Sequence, residues 1–273
     1  MKKILLFTAI FCLFYGCGDK KKDDSKTSQD SITKQYSTTE KINFEKKDLV
    51  KSVNNCRPGE KGCTYIHITY VEAADGKIKD RINAIIKNGL LTAYEMPDKN
   101  LDNTQLMMDS YIRDFESFKK QFPKVIQEWT VEFDARVYSE TEKIICFAFE
   151  NYSYLGGAHP NMVMTFRNVS RETGDTLSLP DLFGQGFEEK LNALIDKNYR
   201  RMKGLNPGDN LQEKGELFEN FIKFNYNFSV TGEKGVEFFY NAYEIAPYAA
   251  GPVVVTLSAQ DIAGIISGAS PLK

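Results

Sequence analysis

The sequence predicts an α+β fold, with antiparallel sheets, helices packed on one face and two closely associated subdomains. Segments with a period of two in apolar and polar residues occur as hairpin partners, which is typical of antiparallel strands. Helical segments are grouped between these hairpins instead of alternating with single strands, which disfavours a doubly wound parallel sheet. The chain has 273 residues, 42% of them hydrophobic, enough for one large domain or two small ones.

The N-terminus predicts export and lipid attachment. Met1 is followed by two lysines and about a dozen apolar residues, a run too short to span a bilayer and typical of a signal-peptide core. A glycine and Cys17 follow, which resembles the bacterial lipobox, in a looser form because Phe14 stands where leucine is usual. We therefore predict a lipoprotein signal peptide over residues 1–16 and lipidation of Cys17. The alternative is an ordinary cleaved signal peptide with an incidental cysteine.

Residues 17–48 are predicted to form a flexible tether. This segment is rich in Lys, Asp, Ser and Thr and has few large apolar side chains to offset the entropy of ordering. With a lipid at Cys17, it would hold the protein at the cell envelope, on the periplasmic or surface face of an outer membrane. The net charge of −2 gives no indication of nucleic acid as a partner.

The first predicted subdomain covers residues 49–127. Residues 63–70 are rich in β-branched and aromatic side chains and predict a strand. Asp75 is the expected N-cap of an amphipathic helix, which the Asn-Gly pair ending at Gly89 is expected to terminate. A second helix begins near residue 101 and ends at Pro123.

The second predicted subdomain covers residues 128–273. Apolar and polar residues alternate from Trp129 to Val137, which predicts a strand buried on one face. The continuous apolar centre of residues 143–154 predicts a central strand. Further elements are expected as a strand over 161–170, helices over 187–199, 211–222 and 259–266, a hairpin over 224–241 and a strand over 253–258.

Three cysteines fall within the folded part. Cys56 and Cys63 flank the turn-rich loop RPGEKG, so beyond the cytoplasm a local disulfide is expected, the alternative being two free thiols. Cys146 lies in an apolar strand and is expected to be a buried packing residue. No Cys and His cluster has the spacing of a zinc site, and we predict neither a metal nor a cofactor.

Three motifs occur in order along the chain: YSYLGGAHPN, RETGDTLSLPDLF and FFYNAYEIAPYAAGPVVVTL. Together they resemble domain-of-unknown-function family 3298, whose pattern is an aromatic strand with GGAH, a T-G segment leading to L-x-L-x-D-L-F, and Y-E-I-x-P-Y-A-x-G. The resemblance covers roughly residues 128–268. Upstream, the segment CTYIHITY and the helical KIKDRINAIIKNGL are similar to family 4163.

The resemblance implies an architecture and a location more than a chemistry. Members are extracytoplasmic α+β proteins and often lipoproteins. The pair of families forms the extracytoplasmic part of an anti-sigma factor that binds lysozyme, and it accompanies the catalytic domain of certain peptidoglycan deacetylases. No catalytic residues are established for the motifs, so the resemblance implies none here.

His159 is one of only two histidines in the chain. A hydrolase would need a nucleophile or a carboxylate beside it, and a metal site would need three or four ligands. The sequence indicates neither, since His67 and scattered carboxylates make a weak ligand set. In a structural role, Gly156 and Gly157 would adopt backbone angles that other residues avoid, and the imidazole would bond neighbouring backbone.

The loop at residues 242–252 is the second candidate for function. Pro247 and Pro252 stiffen it, while Tyr243 and Tyr248 present flat amphipathic rings suited to sugars or to a protein interface. The alternative is a rigid crossover whose tyrosines cover the core. The candidate ligand-binding residues are His159, Tyr243, Glu244 and Tyr248; Gly156, Gly157, Asp181 and Gly251 are expected to be structural.

Three functions remain open from the sequence. We favour a membrane-anchored binding module without enzymatic activity, which recognises cell-wall glycan, a lysozyme-like protein or another envelope partner. An enzyme acting on cell-wall carbohydrate would use His159 and a carboxylate as acid and base. A purely structural envelope lipoprotein is the third possibility. The sequence leaves the oligomeric state open.

Overall fold

A computed structural model describes residues 41–93, 103–125 and 127–273. The predicted signal peptide and Cys17 lie outside these residues, as does the tether up to residue 40. The first strand begins at Phe44, before the predicted end of the tether at residue 48. Within the described ranges, no helix has the length and apolar character needed to cross a membrane.

Two sheets and two groups of helices make up the α+β fold. The larger sheet has the order β1-β2-β3-β4-β5, and its pairs are antiparallel except for the parallel β2 and β3. The smaller sheet, β6-β7-β8, is antiparallel throughout. The strands are β1 Phe44–Ser52, β2 Tyr65–Ala73, β3 Thr130–Glu140, β4 Ile144–Tyr154, β5 Asn161–Ser170, β6 Phe228–Val230, β7 Val236–Tyr240 and β8 Val253–Leu257. The helices are α1 Lys79–Ala93, α2 Thr104–Gln121, α3 Leu179–Phe183, α4 Glu188–Lys203 and α5 Ala259–Ile262.

The larger sheet contains strands from both sides of the predicted subdomain boundary at 127/128. Its inner face, which carries Ile66, Phe133 and Phe147, packs against α1 and α2 to form one core. β4 lies between β3 and β5 and is buried from Ile144 to Phe149, which confirms it as a central strand. Part of the outer face, at Cys146, Ala148 and Phe166, packs toward Phe239 of β7.

The predicted end of α1 is wrong. The helix does not stop at Asn88-Gly89 but continues to Ala93. A Cβ added at Gly89 would lie 2.2 Å from an atom of the Phe149 ring, so this glycine permits close packing of α1 on β4. Asp75 is also not the N-cap, because α1 begins only at Lys79. Its carboxylate instead accepts hydrogen bonds from the backbone and side-chain amides of Asn43 at 2.9 and 2.7 Å.

The second helix follows its sequence signals. The side chain of Asn103 accepts a hydrogen bond of 2.9 Å from the Leu106 backbone N–H, which caps the N-terminus of α2. The helix ends at its C-cap Phe122, next to the predicted stop at Pro123. Met108, Tyr111 and Ile112 on one side of α2 are buried in the first core, whereas Phe122 at its end is 45% exposed.

The second core lies between the smaller sheet and helices α3, α4 and α5. The helix predicted over residues 211–222 is absent, and the segment forms turns instead. Its apolar residues Leu211, Leu217 and Ile222 are nevertheless buried in this core. The Gly215 carbonyl accepts a hydrogen bond from the buried Tyr199 hydroxyl, so the spacing that suggested a helix serves an irregular segment anchored on α4.

Two asparagines cover the outer edge of β5, where a strand would otherwise present unpaired backbone groups. The Asn227 amide accepts from the Phe166 N–H at 3.0 Å and donates to the Met164 carbonyl at 2.8 Å. The Asn241 amide accepts from the Met164 N–H at 2.7 Å and donates to the same carbonyl at 3.1 Å. These side chains stand in for a neighbouring strand and join the β6–β8 region to the larger sheet.

The cysteines occupy the expected positions. Cys56 and Cys63 form a disulfide that closes the turn before β2. Cys146 is a free, buried cysteine on β4. Burial raises the pKa of the Cys146 thiol to about 12, because a thiolate would lose its hydration there.

Candidate functional site

The structure brings together three of the four predicted ligand-binding residues. His159 lies in the loop joining β4 to β5, and Tyr243 and Tyr248 lie in the loop joining β7 to β8. The imidazole is stacked on the Tyr248 ring, with centroids 3.9 Å apart and planes at 19°. The Tyr243 ring lies 5.4 Å from Tyr248 and 6.1 Å from His159. We call these three residues the aromatic cluster.

The glycines of the β4–β5 loop shape the turn that carries His159. Gly156 and Gly157 have φ angles of +92° and +122°, a region that favours glycine. A Cβ at Gly156 would also lie 2.9 Å from the side-chain oxygen of Gln127. The Tyr154 hydroxyl donates to the Gly157 carbonyl at 3.2 Å and accepts from the Gln127 amide at 2.8 Å. The two glycines therefore permit the tight turn that carries His159.

The Pro160 carbonyl fixes the stacked pair. It accepts a hydrogen bond from the Tyr248 hydroxyl at 3.1 Å and lies 2.9 Å from Nδ1 of His159. A carbonyl oxygen can only accept, so Nδ1 carries the proton. In the neutral imidazole, Nε2 is then left as a hydrogen-bond acceptor.

Tyr243 is held in an unusual backbone conformation. Its φ angle is +68°, and its side chain is 57% exposed. The left-handed region costs a non-glycine residue about 1–2 kcal/mol. A large aromatic ring is thus held at the surface, beside two other rings, at the expense of backbone strain.

Glu244 lies next to the cluster in sequence but serves a different contact. Its Oε1 accepts from the Asn225 amide at 2.6 Å, and its Oε2 accepts from the Asn241 backbone N–H at 2.8 Å. Both oxygens are therefore used within the chain, where they support the turn that places Asn241 on β5. The structure thus gives Glu244 a positioning role.

The two remaining motif residues are also structural. The Asp181 carboxylate accepts from the backbone N–H and the hydroxyl of Ser178, at 2.7 and 2.6 Å, and caps the start of α3. Gly251 has a φ of +70° and ends the single 3₁₀ turn Tyr248–Ala250.

Acid–base chemistry at His159 would need a carboxylate beside it, and metal binding would need further ligands. Across residues 41–93, 103–125 and 127–273, no carboxylate forms an ion pair with His159. Within the same ranges, no group of three or more His, Cys, Asp or Glu side chains could hold a metal ion. The other histidine, His67, lies 3.2 Å from the Asp48 carboxylate on the neighbouring strand.

The outer face of the larger sheet is polar beyond the contact with the smaller sheet. The Tyr65 hydroxyl donates to Glu132 at 2.6 Å, and the Thr69 hydroxyl donates to Asp134 at 2.5 Å. Burial and the Glu132 carboxylate raise the pKa of Tyr65 to about 12. These side chains are engaged with one another across β2 and β3.

The sequence did not predict a groove of about 560 Å³ on the inner face of the larger sheet. We call it the inner groove. Its lining residues include Gly89, Thr92, Tyr111, Asp114, Trp129, Phe149, Asn151, Ser153, Leu155, Asn161, Val163, Thr165 and Arg167. Polar residues therefore occupy inward positions at the ends of β4 and β5. Side chains alternate in direction along a strand, so the order of residues in β4 and β5 contained this signal: it places these polar residues on the same face as the core.

Two regions of the chain match known protein families. Residues 180–260 match the family described as Protein of unknown function (DUF3298), and residues 59–162 match Deacetylase PdaC. A relative from Bacillus subtilis (strain 168), the peptidoglycan-N-acetylmuramic acid deacetylase PdaC, is 25% identical over 153 residues, which cover 51% of this chain but 32% of that protein.

Two solved structures share the fold. A DUF3298 family member from Bacteroides fragilis has a TM-score of 0.69 at 19% identity, over 85% of this chain and 96% of that one. A DUF3298 family protein from Pseudomonas aeruginosa has a TM-score of 0.62 at 18% identity, over 85% and 97%. The similarity to family 4163 stays a prediction from sequence. Residues 180–260 are thus similar to the DUF3298 family and residues 59–162 to the PdaC family, and the solved DUF3298 structures share the fold of the chain.

Proposed function

We propose that this protein is a cell-envelope binding module that recognises the glycan of peptidoglycan through its aromatic cluster. The observation that carries the proposal is the exposed ring of Tyr243, held at φ +68° beside the stacked pair of His159 and Tyr248. Strained residues are concentrated at functional sites, where the rest of the fold fixes them in place.

The cluster has the physical properties that a sugar requires. Aromatic rings offer flat apolar area, against which the C–H face of a pyranose packs, and their polar edges form hydrogen bonds. Hydrogen bonds to the Pro160 carbonyl hold the stacked pair in place. Little side-chain entropy is therefore lost when a ligand binds.

The name of the Bacillus subtilis relative supports peptidoglycan as the target, since that protein is a peptidoglycan-N-acetylmuramic acid deacetylase. Its match covers 32% of its length, so its activity is not transferred to this chain. We further propose that a lipid on Cys17 holds the module at the outer membrane, within reach of the cell wall.

Co-sedimentation with purified peptidoglycan tests the proposal. Tyr243→Gly removes the ring and relieves the backbone strain, so the variant should be as stable as the parent or more so. We expect its affinity for peptidoglycan to fall about tenfold or more, as for the loss of a central aromatic contact. Tyr226→Ala is the matched control, because Tyr226 is 79% exposed and lies outside the cluster.

Unchanged sedimentation of Tyr243→Gly would contradict the proposal. Saturable binding of soluble lysozyme by the parent, lost in Tyr243→Gly without any binding to peptidoglycan, would replace the glycan by a lysozyme-like protein. Tyr226→Ala should match the parent in both assays.

A deacetylase activity is the second candidate, because residues 59–162 match Deacetylase PdaC. Release of acetate from peptidoglycan would be measured for the parent and for His159→Gln. Acetate release that depends on His159 would favour the enzyme. Binding without acetate release would favour the module.

A further inference from the structure

We propose that the inner groove is a second binding site, which takes a carboxylate-bearing amino sugar of the same polymer. This inference rests on the proposed function for the identity of the polymer, but it concerns different residues. The volume of the inner groove, about 560 Å³, lies within the usual range for ligand sites.

The groove is elongated along the edge strand of the larger sheet. Asn161, Val163, Thr165 and Arg167 occupy successive inward positions of β5 and all line it. The strand rises about 20 Å over the six steps from residue 161 to residue 167, so the groove suits a linear ligand better than a compact one. Trp129 precedes β3 at the end near the β4–β5 loop, whereas Arg167 pairs with Phe147 nearer the other end of β4.

The cation in the groove indicates an acidic ligand. Arg167 forms no ion pair with any carboxylate in the described part of the chain. Its Nη1 donates to the Phe166 carbonyl at 2.8 Å, which fixes the guanidinium and leaves its other N–H groups for a ligand. Asp114 also lines the groove, but it already interacts within the chain. An arginine fork matches the two oxygens of a carboxylate.

The remaining walls favour a sugar over a peptide. Strand addition would need free backbone groups, but the inner face of a paired sheet offers none, and asparagines cover Met164 and Phe166 on the edge of β5. Recognition must therefore come from side chains. The groove supplies the half-buried ring of Trp129, together with hydroxyl and amide groups, a combination that suits a pyranose with an acetamido group.

Tryptophan fluorescence can report on this site directly, because Trp129 is the single tryptophan of the chain. The full chain would be titrated with a peptide-free tetrasaccharide of alternating N-acetylglucosamine and N-acetylmuramic acid, long enough to reach from Arg167 to Trp129, and with the N-acetylglucosamine tetramer, which lacks the lactyl carboxylates. We expect the tetrasaccharide with carboxylates to bind about tenfold more tightly or better, with an affinity that falls as salt is added. Arg167→Gln should remove the difference between the two sugars, and Arg167→Lys should retain part of it.

Thr165→Phe, which fills the groove while retaining Arg167, is a second test should Arg167→Gln fail to fold. It should abolish the fluorescence response. Tyr243→Gly should leave the response unchanged, so the failure of this site and the failure of the aromatic cluster are distinguishable. Equal affinity for the two sugars, or no response to either, would overturn the inference.

Discussion

Replacing Gly89 by alanine tests how closely α1 packs on the sheet. Helix propensity alone predicts that the substitution stabilises the protein by about 1 kcal/mol. The added Cβ, however, would lie 2.2, 2.5 and 2.7 Å from three atoms of the Phe149 ring. Phe149 is only 4% exposed, so its ring has little room to move. Overpacking of this kind costs about 1–3 kcal/mol and occasionally more, and at such short distances we expect the upper part of that range. The net effect should be a destabilisation of about 1–2 kcal/mol.

Urea unfolding, followed by far-ultraviolet circular dichroism, measures this difference. Asn88→Ala is the matched control, since Asn88 is exposed on the same helix and should show only the small gain from propensity. In a double-mutant cycle, Phe149→Leu should reduce the cost of Gly89→Ala, because the contact is removed. A Gly89→Ala variant more stable than the parent would refute the packing argument.

Three further predictions concern stability. Asn227→Ala removes three hydrogen bonds to backbone groups and should destabilise the fold by about 2–4 kcal/mol in urea unfolding. Reduction of Cys56–Cys63, which are seven positions apart, should lower the free energy of unfolding by about 2.5 kcal/mol in thermal or urea unfolding. The pKa of the Cys146 thiol is raised from about 9 in the unfolded chain to about 12 in the folded protein. The stabilisation linked to this shift is therefore complete below pH 9 and is lost as the pH rises toward 12, which the free energy of unfolding measured at alkaline pH would show.

Each of these predictions has a contradicting result. Asn206→Ala is the control for Asn227→Ala: it removes an exposed amide, and its free energy of unfolding should stay within about 0.5 kcal/mol of the parent. An equally small change in Asn227→Ala would contradict the proposed role of Asn227 in covering the edge of β5. Reductant should have no effect on a variant that lacks both Cys56 and Cys63. Rapid labelling of Cys146 by a thiol reagent in the native protein would show that the thiol is not buried.

The local pattern predicted the strands on which the fold is built. The period of two from Trp129 and the apolar centre of residues 143–154 are sufficient for β3 and β4, because burial of one or both faces follows from pattern alone. The local pattern alone did not place His159 near Tyr248. The residues lie far apart in sequence, and only the resemblance of their motifs to one family placed them together.

Other features depend on contacts that no local pattern contains. Gly89 follows an asparagine, as is typical of a helix end, yet in the structure its role is to let the Phe149 ring of β4 approach the helix closely. The inner groove depends on how α1 and α2 pack on the sheet, because Gly89, Thr92 and Asp114 of these helices line it together with inward polar residues of β4 and β5. The turns at residues 211–222 keep helical apolar spacing because one side faces the second core.

The position of β5 has a consequence for how this fold can be divided. The PdaC-like match ends at residue 162 and the DUF3298 match begins at 180, so nearly all of β5 belongs to neither. Yet this strand completes the larger sheet on one side and receives Asn227 and Asn241 on the other. Either matched region, expressed alone, would expose a surface that β5 normally covers. A fragment intended to fold on its own should therefore include both regions and the strand between them.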